Sequence, residues 1–309
     1  EYIRDYDEKL RFRTPAFLGI DEIKIKRIGE VTVITDLEHR TLYDMLNGRN
    51  QRTLTEYFMN MPDRDKVMWV CSDMYRPFEK SIATAMPNAR WAIDHFHVVM
   101  KANEAVDSVR RSLQTTMTKK DRIKTKRGLA YTLKTRRRDL TGEEEKIRLL
   151  RGVDELKPLA TAFDVKEDFF DIWDENPTSK RNAQKAFQTW ENNIPEGELF
   201  DSFRTLAKTV RNFYTQIFQY WDCPIAISNG YTECANRLIR ESNMKGRGYS
   251  FETLRGRSLY RKTNLLNIIN SGGISIGPRI LTKGALFTTE AEDESNEEDE
   301  WEPFPEPEY

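Results

Sequence analysis

Three acidic side chains in this sequence stand where metal-dependent chemistry is commonly done: Asp21, Asp73 and Glu233. Asp73 follows directly on the short apolar run Val67-Met68-Trp69-Val70-Cys71, in the segment Ser72-Asp73-Met74. Ligands of open α/β sheets gather at the carboxyl ends of the strands, so a carboxylate just past a buried strand is well placed to hold a divalent metal. Asp21 lies inside an apolar stretch, Ala16-Phe17-Leu18-Gly19-Ile20-Asp21-Glu22-Ile23. A bare charge in such a strand costs on the order of several kcal/mol, so something must compensate it. A metal ion is one answer and a nearby Lys or Arg is another, and the sequence leaves both open. Glu233 leads Asn236, Arg237 and Arg240 at spacings of three, four and seven, which puts them on one side of a helix. A metal ligand beside phosphate-binding arginines has this pattern. A plain Glu233–Arg237 surface pair has it too.

The elements that must position these side chains can be read from the pattern of apolar residues. Ala16 to Lys26 is predicted as a strand, Val31 to Asp36 as a second and Thr41 to Leu46 as a third, joined by short turns as in an antiparallel meander. Arg52 to Met61 reads as a helix. The run Val67–Cys71 is the next strand, and a helical stretch follows to about Met86. Pro87-Asn88 makes a turn, Ala89 to Ile93 is a second buried strand ending at Asp94, and a long amphipathic helix begins near Phe96. The order β-β-β-α-β-α-β-α is that of a ribonuclease H-like fold, an α/β architecture with a mixed sheet flanked by helices. In that order the first strand and the end of the fourth lie side by side, so Asp21 and Asp73 are expected to converge.

Residues 119–222 change character. They show no convincing strands and read as an all-helical insertion, with Trp173, Trp190, Trp221, Phe163, Phe169, Phe170 and Phe187 as a modest core. Lys119 to Arg138 carries ten basic residues and one acid. Such a run is either a solvated helix face or a track along nucleic acid, with Lys119, Lys120, Arg136, Arg137 and Arg138 as the candidate phosphate contacts. After Pro224–Ile227, Ser228-Asn229-Gly230 signals a turn, and a helix runs from about Tyr231 to Met244. Ser250 to Leu259 reads as a further short helix carrying Arg255 and Arg257. Gly272, Gly273 and Gly277 mark a loop. The expected organisation is a core in two parts, 1–118 and 223–289, the insertion 119–222 between them, and a tail from 290 to 309. Residues 1–14 read as a linker or an entering helix.

Composition bounds the partners. Of 309 residues, 38% are hydrophobic and 32% charged, which suits a polar surface, and no apolar run approaches the length of a membrane span. The net charge of −1 conceals an asymmetry: residues 290–309 hold eleven acids and no base, so residues 1–289 carry +10. A basic body points to a polyanionic partner. The tail is too polar to fold alone and is expected to shield the basic surface or to act as a solubilising segment. Cys71, Cys223 and Cys234 form no CxxC pair, which excludes a local zinc motif and argues against a disulfide framework. A reducing cytoplasm is the expected setting, and Cys71, in an apolar strand, is expected to pack. The chain starts at Glu1, without a signal-peptide pattern, and reads as a piece of a longer protein.

These residues carry a resemblance to a known family. Gly19-Ile20-Asp21-Glu22, Ser72-Asp73-Met74-Tyr75-Arg76-Pro77-Phe78, Pro87-Asn88-Ala89, Asp94-His95-Phe96-His97-Val98-Val99, Asn103 and Val109-Arg110 closely resemble the DDE transposases of the bacterial ISL-three (ISL3) insertion-sequence family. So do Ser228-Asn229-Gly230, the Glu233–Asn236–Ile239-Arg240 block, Gly248-Tyr249-Ser250-Phe251, and Leu254-Arg255 with Arg257. The resemblance spans Phe17 to Leu259. His95 stands where the family usually has Arg, and Arg240 where Lys is common. The N-terminal zinc-binding segment and helix-turn-helix usual in the family have no counterpart in this sequence.

The resemblance implies Asp21, Asp73 and Glu233 as the acidic triad, two Mg²⁺ ions (Mn²⁺ as substitute), and cleavage and strand transfer of double-stranded DNA at transposon ends and target. It places Asp94, His97 and Asn236 around the site, with His97 as either a general acid or a structural histidine. Arg237, Arg240, Arg255 and Arg257 join the DNA-contact candidates. A homo-oligomer on DNA, in a bacterial cytoplasm at the nucleoid, is the implied setting. The competing functions are a ribonuclease H-like nuclease or resolvase, and a catalytically silent DNA-binding derivative.

Overall fold

The computed structural model describes residues 10–116, 128–140, 147, 150–152, 156–272 and 274–276. Strands are β1 (Leu10–Phe12), β2 (Phe17–Ile25), β3 (Gly29–Asp36), β4 (Thr41–Asn47), β5 (Trp69–Ser72), β6 (Arg90–Ile93) and β7 (Ile274–Ile276). The first helices are α1 (Gln51–Asn60), α2 (Arg76–Ala85) and α3 (His95–Thr116). The inserted helices are α4 (Gly128–Lys134), α5 (Lys157–Asp174), α6 (Lys180–Asn192), α7 (Asp201–Asn212) and α8 (Tyr214–Phe218). The last are α9 (Gly230–Lys245), α10 (Phe251–Leu259) and α11 (Lys262–Asn270).

Five strands form one mixed sheet in the order β4-β3-β2-β5-β6. β2, β3 and β4 pair antiparallel, whereas β2–β5 and β5–β6 are parallel. The chain is therefore α/β, a ribonuclease H-like mixed sheet flanked by helices with a helical insertion ahead of α9, as the sequence predicts. The parallel register puts Gly19 opposite Cys71. Two residues further on come Asp21 in β2 and Asp73 just past β5, so strand pairing alone brings the two acids together on neighbouring inner strands.

β2 is central because both its faces are covered. Leu18 and Ile20 pack into the main core with Val70, Phe78 and Val98, while Ile23 and Ile25 belong to a second cluster with Val31, Val33, Ile239 and Leu254. The continuous apolar run of β2 is what a strand buried on both faces requires. Cys71 is fully buried beside Phe17, Trp69, Ala92 and Ile227, and burial pushes its thiol well up, the state of a packing residue.

The insertion shares the main core. Phe163, Phe169, Phe187, Phe203 and Phe218 belong to the same apolar cluster as Leu18 and Val70. Val98, Ala102, Val106 and Val109 of α3 provide the bridge, at the three- and four-residue spacing of a helix face. Among the described residues of 119–222 there is no strand.

One expectation needs correction, and one helix was not foreseen. Residues 10–12 form β1, not a linker or helix, because they pair antiparallel with Ile274–Ile276 some 260 positions away. α11 fills the stretch before the glycine loop, where Asn264 bonds both backbone groups of Leu42 and the carbonyl of Leu259. The acidic tail 290–309 lies outside the described residues, and so do Lys119 and Lys120.

Candidate functional site

Asp21 projects from β2 and is 4% exposed. Its Oδ2 accepts a 2.7 Å hydrogen bond from Nδ2 of Asn236, and its Oδ1 lies 4.0 Å from Nε2 of His97. The same His97 nitrogen is 4.0 Å from Oε1 of Glu233. One ligand atom from each of Asp21, His97 and Glu233 can be chosen so that all lie within 4.8 Å of one another. No lysine or arginine neutralises Asp21 among its described partners, so the basic-partner alternative is not what the fold provides.

Three elements set this geometry. Glu233 is brought to the sheet by α9, which is held unusually close. Asn229, fully buried, donates from Nδ2 to the carbonyl of Ile20 (2.9 Å), and its own carbonyl accepts the amide of Glu233 (2.9 Å). Thr232 and Thr35 hydroxyls meet at 2.7 Å across the helix–sheet contact. A Cβ on Gly19 would stand 2.5 Å from both hydroxyl oxygens and 2.6 Å from Leu37, so only glycine permits the approach. Asp73 is fixed from β6: the Trp91 indole N–H donates to Ser72 Oγ (2.8 Å), and Ser72 in turn donates to the Asp73 carbonyl (3.0 Å). Oδ1 of Asp73 accepts the Tyr75 amide at 3.1 Å.

The electrostatics show crowded negative charge that is only partly offset, by His97 and Arg49 acting on Asp73. Burial above all, then the charges of Glu233 and Asp73, push the Asp21 carboxyl up to about 8, although the Glu22 backbone amide works the other way. Asp73 is also raised, by burial, against the lowering influence of His97 and the Tyr75 amide. Nε2 of His97 and Oδ1 of Asn236 are buried without a hydrogen-bond partner. Crowded carboxylates, a lone imidazole nitrogen and an unpaired amide oxygen are a donor set for a hard divalent cation, which takes oxygen ligands and tolerates one imidazole. The residues present fit such an ion.

The remaining candidates divide. Asn236 bonds Asp21 directly, and His97 lies 4.0 Å from both Asp21 and Glu233. Asp94 instead turns toward the start of α3: it is 1% exposed, accepts the Phe96 amide at 3.4 Å, and raises Cys71 and Tyr220. Arg237 and Arg240 lie exposed on α9, and Arg237 approaches Glu241 at 3.8 Å, not Glu233. The Glu233–Arg237 pair does not form. Arg257 is exposed and lies over the Tyr249 ring at 5.2 Å. Arg255 is bound to Asp44 at 2.7 Å, a tie between α10 and β4.

Arg136–Arg138, candidates for phosphate contact, also have acidic partners within the fold. α5 presents Asp164, Glu167, Asp171 and Asp174 at helical spacing, and the three arginines meet them. Arg136 reaches Glu167 (3.5 Å), Asp171 (3.3 Å) and Asp174 (2.8 Å), Arg137 reaches Asp164 (2.5 Å), and Arg138 reaches Asp174 (3.0 Å). The local charge count missed these partners because they stand some thirty residues downstream. Asn229, Thr232, Ser72 and Gly19 were not singled out as site residues. Gly19 and Ser72 appeared only as neighbours of Asp21 and Asp73 in the family-like segments, and Asn229 in the turn signal Ser228-Asn229-Gly230.

The family model for ISL3-type DDE transposases, described as "Transposase", matches residues 18–258. The chain belongs to this family. It is also similar to the transposase for insertion sequence element IS1001 of Bordetella parapertussis, 24% identical over 242 residues, which is 75% of this chain and 57% of that protein. The chain thus spans little more than half the length of that relative. Among the described residues no helix is long and apolar enough to cross a membrane.

Proposed function

We propose that this chain is the catalytic part of an insertion-sequence transposase that cuts and joins double-stranded DNA, with Asp21, Asp73 and Glu233 holding two divalent ions, Mg²⁺ or Mn²⁺. The observation that carries the reading is the meeting of Asp21, Glu233 and His97 within 4.8 Å, with Asp73 close enough to raise Asp21, from segments up to 212 positions apart. A fold that gathers like charges at such a cost, with no lysine or arginine bound to Asp21, is built for a cation.

When bound, a metal pair activates a water or 3′-hydroxyl nucleophile and stabilises the leaving oxygen at the scissile phosphate. The chain's own contribution is placement. β2 and β5 place Asp21 and Asp73 side by side through their parallel register. Asn236 holds one oxygen of Asp21 and so orients the other toward Glu233 and His97. Asn229 and Thr232 set the depth of Glu233. Arg237 and Arg240, exposed on the helix that carries Glu233, face the path of a DNA backbone entering the site. The triad being complete weighs against a catalytically silent derivative.

The test is metal-dependent nicking of duplex DNA carrying the element's ends. Asp73→Asn keeps shape and removes charge, so cleavage should fall by at least two to three orders of magnitude, the scale seen when one electrostatic stabiliser is removed. DNA affinity should be largely retained. Wild-type cleavage by the variant in Mg²⁺ would refute the assignment.

A further inference from the structure

A cleft of about 480 Å³ opens beside the acidic site, between the start of α3 and the inserted helices. Phe96, which precedes His97 on α3, lines the cleft, is 47% exposed, and lies edge-on to His97 with centroids 5.9 Å apart. Tyr220 forms another aromatic wall, its ring 5.4 Å from that of His95. On the lining, His95, Asn103, Arg136 and Trp173 each carry a buried polar atom without a hydrogen-bond partner; Nδ1 of His95 and Nε of Arg136 have a carboxylate 3.7 Å and 3.5 Å away, and the other two face no such group among the described residues. The indole N–H of Trp173, a residue 8% exposed, donates to nothing, and Oδ1 of Asn103 accepts from nothing. Buried polar groups are normally satisfied, so an unused donor and an unused acceptor on one cavity imply a ligand that supplies both complements. Lys134 stands on the same lining, 3.7 Å from Asp107, a carboxylate that Arg110 and Arg111 already hold. Its ammonium is positive charge in surplus.

We propose that this cleft takes a single unstacked nucleotide of the bound DNA, next to the phosphate that is cut. The chemistry matches part by part. A base offers a π-face to Phe96 and Tyr220, an edge that both accepts and donates hydrogen bonds to Trp173 and Asn103, and a phosphate to Lys134. Base–aromatic stacking is sequence-tolerant, while the edge contacts add selectivity. The cleft volume lies within the range of small-molecule sites. The proposal rests on the DNA-cutting function above for the identity of the polymer, but its geometry is independent of the metal.

The probe is a random-sequence duplex with one bulged 2-aminopurine, compared with the same duplex bulged at an abasic residue and with the fully paired form. Binding is measured in EDTA with the full chain, so cleavage plays no part. The abasic bulge has the same flexibility and lacks only the base. The base-containing bulge should bind about tenfold more tightly than the abasic one, the order of one stacked base, with quenching of 2-aminopurine fluorescence. Phe96→Ala, at an exposed position, and Asn103→Ala should each reduce that ratio while leaving affinity for paired duplex and the melting temperature unchanged. Trp173→Phe keeps an aromatic ring, removes the N–H, and should lower the ratio as well. Equal binding of base and abasic bulges would overturn the proposal, as would a ratio untouched in both Phe96→Ala and Asn103→Ala. Failure of the catalytic reading is separately visible: an Asp73→Asn protein that still cleaves refutes the triad without altering the bulge ratio.

Discussion

At the residue scale the site is defined by Asp21, a carboxylate held where it resists ionising. Its ordinary value of 3.8 is raised to about 8, so the folded chain keeps a proton that the unfolded chain releases near pH 4. Without metal the folded state binds more protons than the unfolded state between about pH 4 and pH 8, and stability contributed by this group is lost as pH rises through that window. A divalent cation replaces the proton, so its stabilising effect should grow with pH. Melting temperatures in EDTA should fall from pH 6 to pH 8, and Mg²⁺ should raise them by several degrees more at pH 8 than at pH 6. Asp21→Asn should flatten both trends. A Mg²⁺ shift that is the same at both pH values, or that survives in Asp21→Asn, would dissociate the cation from this cluster.

At the scale of elements, the decisive contact is α9 against β2 and β3. Gly19 permits it, and the Thr35–Thr232 hydroxyl pair fills the remaining space. Gly19→Ala inserts a methyl group into that contact, where overpacking costs about 1–3 kcal/mol. Since Glu233 is one residue from Thr232, the expected result is a lower melting temperature together with a loss of cleavage larger than the loss of DNA affinity. A fully active Gly19→Ala protein would show that the helix depth is not critical. The arginine run of the insertion makes a different prediction. With Arg136, Arg137 and Arg138 bound to acids of α5, their joint replacement by Ala should change the log–log salt slope of DNA binding by far less than the roughly 0.9 per residue that free phosphate contacts would give. The insertion itself should loosen, seen as faster amide exchange in α4 and α5. A slope change approaching that of three phosphates would show them to be DNA contacts.

At the scale of the molecule, the sheet and the inserted helices belong to one apolar cluster rather than two. Trp91 of β6 meets Phe213 after α7 edge-on at 6.1 Å, and the Ser202 hydroxyl bonds the Ala105 carbonyl of α3 at 3.0 Å. A shared core unfolds as a unit, so equilibrium urea unfolding should show coincident transitions by tryptophan fluorescence and far-UV circular dichroism. An earlier transition confined to the inserted helices would make the insertion a separate domain. Cooperativity of this kind would also transmit a change at the cleft between α3 and α5 to the acidic site, since α3 carries both Phe96 and His97.

What the sequence determined by itself was the part governed by short-range periodicity. Continuous apolar runs marked the buried strands, the β-β-β-α-β-α-β-α order marked the sheet, and a carboxylate inside or just beyond such a strand marked Asp21 and Asp73. Those signals are local because strand burial and helix faces repeat every two or every three to four residues. Tertiary structure alone decided the rest. It gave Arg136–Arg138 and Arg255 acidic partners that lie far along the chain. It set His97 4.0 Å from both Asp21 and Glu233 and sent Asp94 to cap α3. It paired Leu10–Phe12 with Ile274–Ile276, a match of three residues with no local signature. It also made Gly19 and Asn229 indispensable to the placement of Glu233, since a close approach between two elements is a property of neither sequence segment taken alone.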